Sequence, residues 1–199
     1  MRFDVTSPAA LPTRWGEFQV VAFRFAHEPQ ATADCEHLAI VKGDIRGADV
    51  LARVHSSCIT GDVVGSSRCD CGPQLDAALE AIEREGRGVV LYLNQEGRGI
   101  GLFNKIRAYV EQDAGANTVE ANVKLGFDAD ARSYEQAVDM LRHLGVASVR
   151  LMTNNPKKVE GLEAAGIVVS ARVPHVAGHT PTNRLYIETK RDLMGHLLG

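Results

Sequence analysis

The chain has 199 residues, 45% of them hydrophobic and 24% charged, with 22 Lys and Arg against 25 Asp and Glu for a net charge of −3 and a pI near 6.2. This is ordinary globular composition, enough for one substantial domain, and it excludes a global basic field of the kind that draws in nucleic acid, so phosphate binding has to come from local basic residues and a small phosphorylated ligand is favoured over DNA or RNA. No apolar run reaches the roughly 18 residues of a membrane helix, and the N-terminal stretch, with Asp4 and no apolar core, does not read as a secretory signal, so a cytoplasmic setting with reduced cysteines is expected.

Residues 17–25 (EFQVVAFRF) and 37–45 (HLAIVKGDI) read as strands joined by a long polar loop, an antiparallel pair. Residues 49–57 read as a third strand whose alternation puts Val50, Ala52 and Val54 on one face and Arg53, His55 and Ser57 on the other. The polar face runs directly into Cys58. Residues 73–86 have the pattern of an amphipathic helix, with Pro73 at its first position, Leu75, Ala78, Leu79 and Ile82 on one stripe and Gly86 as its stop. The apolar run 89–93 reads as a buried strand, and the glycine-rich stretch 94–101 at its carboxyl end lies where α/β folds place ligand-binding loops.

A helix is expected over 102–112, with Lys105 and Tyr109 on one side and Leu102, Ile106 and Val110 on the other. Residues 113–131 read as irregular. Ser133 and Gln136 suggest a capping box for a helix running to Leu144 and stopped by Gly145. Residues 149–152 form a short strand, a helix begins at Pro156 with Lys157 and Lys158 in its first turn and stops at Gly166, and 167–173 is the last strand. A turn-rich loop leads to a C-terminal helix over 184–198. Strands first and βα alternation later imply one α+β (α/β-like) domain over 1–199, a mixed β-sheet flanked by helices.

Cys58, Cys69 and Cys71 put three thiols within fourteen residues. Three soft ligands and one open position suit a catalytic zinc, whose bound water ionises near pH 7. Cys35, with His37 beside it, could instead close a structural shell, and unligated thiols in a reducing compartment are the third possibility. Glu96-Gly-Arg-Gly-Ile-Gly101 offers backbone N–H groups and a guanidinium to phosphate, although a plain strand-to-helix turn has the same look. Thr153-Asn-Asn-Pro-Lys-Lys158 is the better anion candidate, because two cations at the positive end of a helix oppose its dipole unless an anion is near. Taken singly, Asp128 to Arg132 is a surface turn, Tyr109 a core or rim aromatic and His55 a structural hydrogen-bonder.

In combination and in order, Arg53-Val-His-Ser-Ser-Cys58, Thr60-Gly-Asp62, Ser67-Arg-Cys-Asp-Cys-Gly72, Gln95-Glu-Gly-Arg-Gly-Ile-Gly-Leu102, Asn104-Lys-Ile-Arg-Ala-Tyr109 and Thr153-Asn-Asn-Pro-Lys-Lys158 resemble GTP cyclohydrolase II of riboflavin biosynthesis. The resemblance implies hydrolytic opening of the imidazole ring of GTP, with release of formate and pyrophosphate to leave a diaminopyrimidine ribosyl phosphate. It also implies one Zn²⁺ per subunit on Cys58, Cys69 and Cys71, Mg²⁺ with the triphosphate, a homodimer, and no nucleic acid or membrane partner. Asp130, Arg132 and Tyr109 match its catalytic positions: Asp130 as base, Arg132 at the α-phosphorus, where a guanidinium serves better as a charge stabiliser than as a nucleophile, and Tyr109 near the metal water. Arg53, Val54, His55, Ser56, Ser57, Gln74, Glu96, Gly97, Arg98, Thr118, Thr153 and Lys158 match its nucleotide contacts. Two positions depart from the family pattern: Ser57 stands where a Glu is usual, and Asn94 where Arg or His is usual. A diverged relative that opens another base, or a zinc-stabilised nucleotide-binding module, would share most of these motifs.

Overall fold

The computed structural model describes residues 3–25, 35–128, 130 and 132–198. Among these residues eight strands form one mixed sheet: β1 (Phe3–Val5), β2 (Ala9–Thr13), β3 (Gly16–Phe25), β4 (Glu36–Lys42), β5 (Val50–Ser56), β6 (Gly88–Leu93), β7 (Ser148–Met152) and β8 (Val168–Val173), in the order β1-β3-β4-β6-β5-β7-β8 with β2 beside β1 on the edge of β3. The expected pair of β3 and β4 is antiparallel, with Val21 opposite Ala39. β4 meets β6 antiparallel, and from β6 onward the sheet is parallel through β5, β7 and β8. The two N-terminal strands escape a sequence reading because Ala-Ala-Leu-Pro-Thr has neither alternation nor β-branched residues; β3 recruits it as an edge.

Helices cover both faces. Val50, Ala52 and Val54 point into the larger core with Phe23, Leu91 and Leu93, beneath α5 (Glu135–His143) and α6 (Pro156–Ala164). On the other face Leu51, Val90 and Met152 pack against Ala78, Leu79 and Ile82 of α2 (Cys71–Glu85). That helix starts two residues before the expected Pro73, because Asp70 ends the cysteine turn and Cys71 already has helical geometry, so Gly72 lies inside the helix rather than in a bend. Gly86 ends it with φ 75°, a left-handed position that costs glycine nothing.

Three further boundaries differ from expectation. Residues 113–131 are not wholly irregular: α4 (Thr118–Lys124) is set by a capping box in which Asn117 accepts from Glu120 N while Glu120 accepts from Asn117 N. Ser133 and Gln136 make no such box; Tyr134 is the cap of α5, and the Ser133 hydroxyl accepts from Glu135 N instead. The C-terminal helix α7 (Arg184–Asp192) ends six residues early, and the chain turns back so that Leu197 N donates to Asn154 O at 2.8 Å. No helix among the described residues is long and apolar enough to cross a membrane.

Candidate active site

The carboxyl ends of the parallel strands open into a cleft of about 1160 Å³, its mouth included. This is where open α/β sheets bind ligands, since the loops after adjacent strands diverge there. β5 delivers Arg53, His55, Ser56 and Ser57; the turn after β6 delivers Gln95 to Arg98; the turn after β7 delivers Thr153 and Lys158. The alternation read in β5 holds, so Val54 is a core residue and only its carbonyl takes part, accepting from Lys158 Nζ at 2.7 Å.

Cys58 caps the short helix α1 (Ile59–Asp62), and the following turn brings Cys69 and Cys71 back to it. The three sulfurs lie within 4.8 Å of one another, with Cys58 and Cys69 at 3.7 Å. Tetrahedral zinc–thiolate bonds of about 2.3 Å set sulfurs roughly 3.8 Å apart, so this donor set fits such an ion. Gly61 leaves the space for it: a Cβ there would stand 2.8 Å from Cys69 Sγ and 3.2 Å from Cys58 Sγ. Among the described residues Cys35 is outside the cluster and His37 Nδ1 accepts from Asn94 N, so neither stands with the three sulfurs; His55 Nε2 lies 3.1 Å from both oxygens of Asp62.

Cys58 is the first of the three to ionise. The thiols of Cys69 and Cys71 donate to it and Lys105 stands at 3.1 Å, which outweighs burial and pulls its pKa far below the ordinary thiol range. The same sharing pushes Cys69 up to about 11 and Cys71 well above the usual value. Lys105 is buried and held by Glu96 at 2.7 Å, while the other Glu96 oxygen accepts from Ile59 N at 2.7 Å. Glu96 is therefore turned toward the cysteine loop. Gly97 and Arg98 follow it with φ 62° at each, and Arg98 holds this left-handed geometry at some cost for a residue with a Cβ. Lys105 sits one turn before Tyr109 on α3 (Gly101–Asp113), and both face inward, leaving Leu102, Ile106 and Val110 exposed. Tyr109 Oη is 3.1 Å from Thr60 Oγ1, itself 3.6 Å from Cys58 Sγ.

The cleft is also lined by cations. Arg53 is fully buried with neutral partners, Met152 O at 2.8 Å and Gln74 Oε1 at 2.6 Å, and burial lowers its pKa to about 10. Among the described residues the buried Lys158 ammonium donates to the Val54 carbonyl and lies 5.8 Å from the Tyr134 ring centroid, and burial drives its pKa well down; Lys157, beside it, faces outward, so one of the two first-turn lysines lines the cleft. Arg98 Nη1 is buried and has no hydrogen-bond partner among the described residues. Arg132 chelates Asp130 at 2.6 and 2.7 Å. Burial raises the Asp130 carboxyl, but the guanidinium more than offsets it and holds the acid below its usual range. Thr118, at the start of α4, closes one side.

Asp62 is a second hub. It accepts from His55 Nε2, Tyr92 Oη at 2.9 Å and Cys58 N at 2.9 Å, and burial lowers the His55 pKa, so the ring is neutral with its proton on Nε2 and Nδ1 left as an acceptor. Sequence reading did not assign a role to Asp62, Lys105, Asn122, Asn154 or the C-terminal Tyr186, Lys190 and His196, all but Asp62 of which line the cleft. Lys105 could have been found from its i, i+4 spacing to Tyr109; the C-terminal residues carry no local signal.

The GTP cyclohydrolase II family model matches residues 4–174. Curated relatives called GTP cyclohydrolase-2 are similar over most of the chain: 62% identity over 82% of this chain and 80% of the protein from Pseudomonas entomophila, 57% over 95% and 90% for Pseudomonas putida, and 56% over the whole of both chains for Citrobacter koseri. Among solved structures, a two domain 3,4-dihydroxy-2-butanone 4-phosphate synthase from A. baumannii aligns at TM-score 0.42 and 18% identity over 76% of this chain and 34% of its own, too loosely to carry weight. With matches of this extent falling on a cleft that holds three convergent sulfurs and several buried cations, the chain is an enzyme and belongs to the GTP cyclohydrolase II family.

Proposed function

We propose that the chain opens the imidazole ring of GTP with a zinc ion held by Cys58, Cys69 and Cys71, releasing formate and pyrophosphate and leaving a diaminopyrimidine ribosyl phosphate, the entry step of riboflavin biosynthesis. The observation that carries this reading is the make-up of one cleft, which joins a three-sulfur cluster to Arg53, Arg98 and Lys158, none of them ion-paired with a carboxylate among the described residues. A purine nucleoside triphosphate, with a ring to open and phosphates to hold, calls for both. When bound, the ion supplies Lewis acidity that makes water a nucleophile near neutral pH, which is what attack on the poorly electrophilic carbon between the imidazole nitrogens needs.

The chain's own groups do the rest. Arg53, Arg98 and Lys158 take up phosphate charge, Mg²⁺ accompanying the triphosphate, and Arg132, kept cationic by Asp130, stabilises charge at the α-phosphorus. Asp130 is thereby occupied as an ion-pair partner, which weighs against its acting as a free base. Tyr109, whose pKa burial raises, retains its proton and can hand it on beside Thr60 and the sulfurs. His55, its tautomer set by Asp62, offers Nδ1 to a purine N–H. A homodimer of such subunits in the cytoplasm, without nucleic-acid or membrane partners, completes the proposal.

The test is metal content together with product analysis on GTP. One formate and one pyrophosphate per GTP, lost on chelation and restored by zinc, are expected. Ring opening that survives removal of the metal, or phosphate release without formate, refutes the reading. Faster turnover of another purine or pyrimidine triphosphate than of GTP would mark a diverged relative.

A further inference from the structure

Residues 184–198 lie beyond the stretch matched by the family model, yet they build one wall of the cleft. Three attachments fix them there. Lys190 Nζ donates to Asp70 Oδ1 at 2.6 Å, and Asp70, wholly buried, stands between Cys69 and Cys71. Asn183, capping α7, donates to Cys69 O at 3.3 Å, and Leu197 N donates to Asn154 O at 2.8 Å in the turn that carries Lys158. The segment thus crosses from the metal loop to the anion-binding turn, and it places Tyr186, Lys190 and His196 on the cleft.

Among the described residues, Asp70 is the hydrogen-bond partner of the Lys190 ammonium, which also lies over the Tyr186 ring at 4.5 Å. An ammonium has three donors, so two remain for a ligand. Its field reaches Lys158 together with those of Arg53 and Arg132, and it reaches His196 together with those of Arg98 and Arg132, which places Lys190 in the same electrostatic group as the cations assigned to phosphate. The carboxylates of that group are Asp70 and Asp130, and the cations outnumber them. A polyphosphate entering this corner comes up against Asp70 and the thiolate loop behind it. A cation between the two anions removes the repulsion that would otherwise keep a triphosphate away from the metal loop.

We propose that residues 184–198 are part of the nucleotide site and that Lys190 is a phosphate ligand, its ammonium shared between Asp70 and the bound polyphosphate. The assignment rests on the reading of the cleft as a GTP site.

The experiment uses the zinc-loaded full chain and its Lys190→Met and Lys190→Gln variants. Binding of inorganic pyrophosphate and of guanosine is measured by calorimetry, beside zinc content and the KM for GTP. Both variants are expected to lose about tenfold or more in pyrophosphate affinity, as for one charge-assisted hydrogen bond, and to raise the KM for GTP by a similar factor. Guanosine affinity is expected to stay within roughly threefold, with zinc content unchanged. Lys190→Gln keeps an N–H for Asp70 without the charge, so it isolates the charge if the Met variant does not fold. Unchanged pyrophosphate binding in a folded variant overturns the assignment. So does an equal loss for guanosine, and so does loss of zinc with pyrophosphate binding intact, which would make Lys190 a brace for the metal loop alone. Because pyrophosphate binding is read without turnover, a wild-type protein that binds pyrophosphate but leaves GTP unopened would sink the proposed reaction and not this assignment.

Discussion

Gly61→Ala sets two physical effects of opposite sign against each other. Gly61 lies inside α1 without positive φ, and in an ordinary helix such a change gains roughly 0.5–1 kcal/mol by restricting the unfolded chain and removing the glycine penalty. Here the new methyl would stand 2.8 Å from Cys69 Sγ, 3.1 Å from Cys71 Cβ and 3.2 Å from Cys58 Sγ. Ordinary contact begins at roughly 3.5 Å, so the methyl overlaps Cys69 Sγ by more than half an ångström and crowds the other two groups by a few tenths each. None of the three is the free end of a long side chain: two are sulfurs that must converge and the third is a Cβ. Overpacking of this kind costs about 1–3 kcal/mol, which outweighs the propensity gain, and any relief spreads the sulfurs. The expected outcome is a protein less stable by about 1–2 kcal/mol in urea that binds zinc more weakly and opens GTP more slowly. Urea unfolding with and without a chelator, beside metal analysis, measures both parts. A variant that is more stable than wild type and holds zinc equally well refutes the idea that this glycine is kept to make room for the sulfur cluster.

Other residues of the cleft separate binding from folding. Lys158→Met removes a buried cation whose hydrogen-bond partner among the described residues is one carbonyl; the KM for GTP should rise by about ten- to a hundredfold while the melting temperature stays level or rises, and a fall in both would indicate a structural lysine. Asp62→Asn puts an amide NH₂ among three donors, His55 Nε2, Tyr92 Oη and Cys58 N, so a loss of about 2 kcal/mol or more is expected in chemical unfolding, and near-neutral stability would contradict the hub. Burial holds His175 near pKa 4 against 6.5 when unfolded. Between those values the unfolded chain takes a proton that the folded one refuses, so this contribution is complete above about pH 6.5 and is lost as pH falls toward 4, by up to about 3 kcal/mol. His175→Gln should flatten that stretch of the stability profile; an unaltered slope would place the acid sensitivity elsewhere.

Legibility of the fold follows how local the cause of each element is. β5, α2, β6 and α6 were readable because alternation, an apolar stripe, a Pro at N1 and a terminal Gly are properties of one segment. β1 and β2 were not, since what holds them is the open edge of β3. The same division runs through the site. The three cysteines announce themselves by spacing, and Arg53 and His55 by sharing a strand face with the approach to Cys58. Lys190 gives no such signal, because its partner Asp70 is 120 positions away and only the fold brings them to 2.6 Å. The α3 pattern misleads in another way: its most apolar residues, Phe103 among them, face outward, and the buried side is the one with Lys105 and Tyr109, since the cleft rather than the core is what that helix serves.

Ser57 and Asn94, the two positions where the resemblance implied other residues, immediately follow the neighbouring parallel strands β5 and β6. The Ser57 hydroxyl stands 3.5 Å from Asn94 Oδ1 and accepts from Gln95 N at 3.1 Å. A Glu and an Arg introduced at these two positions would be neighbours able to pair, whereas Ser57 and Asn94 are both neutral. Removing one partner of a half-buried pair strands the other, whereas replacing both is close to neutral, so the pair of changes is expected to cost the site less than either one alone. Ser57→Glu by itself therefore sets an uncompensated carboxylate beside Cys58 and should destabilise the protein by about 1–3 kcal/mol and slow GTP opening; adding Asn94→Arg should recover much of both. The double-mutant cycle is expected to give a coupling of roughly 0.5–3 kcal/mol of favourable sign. A coupling near zero would mean that the two side chains do not sense each other, and that Ser57 alone sets the difference between this cleft and the family pattern.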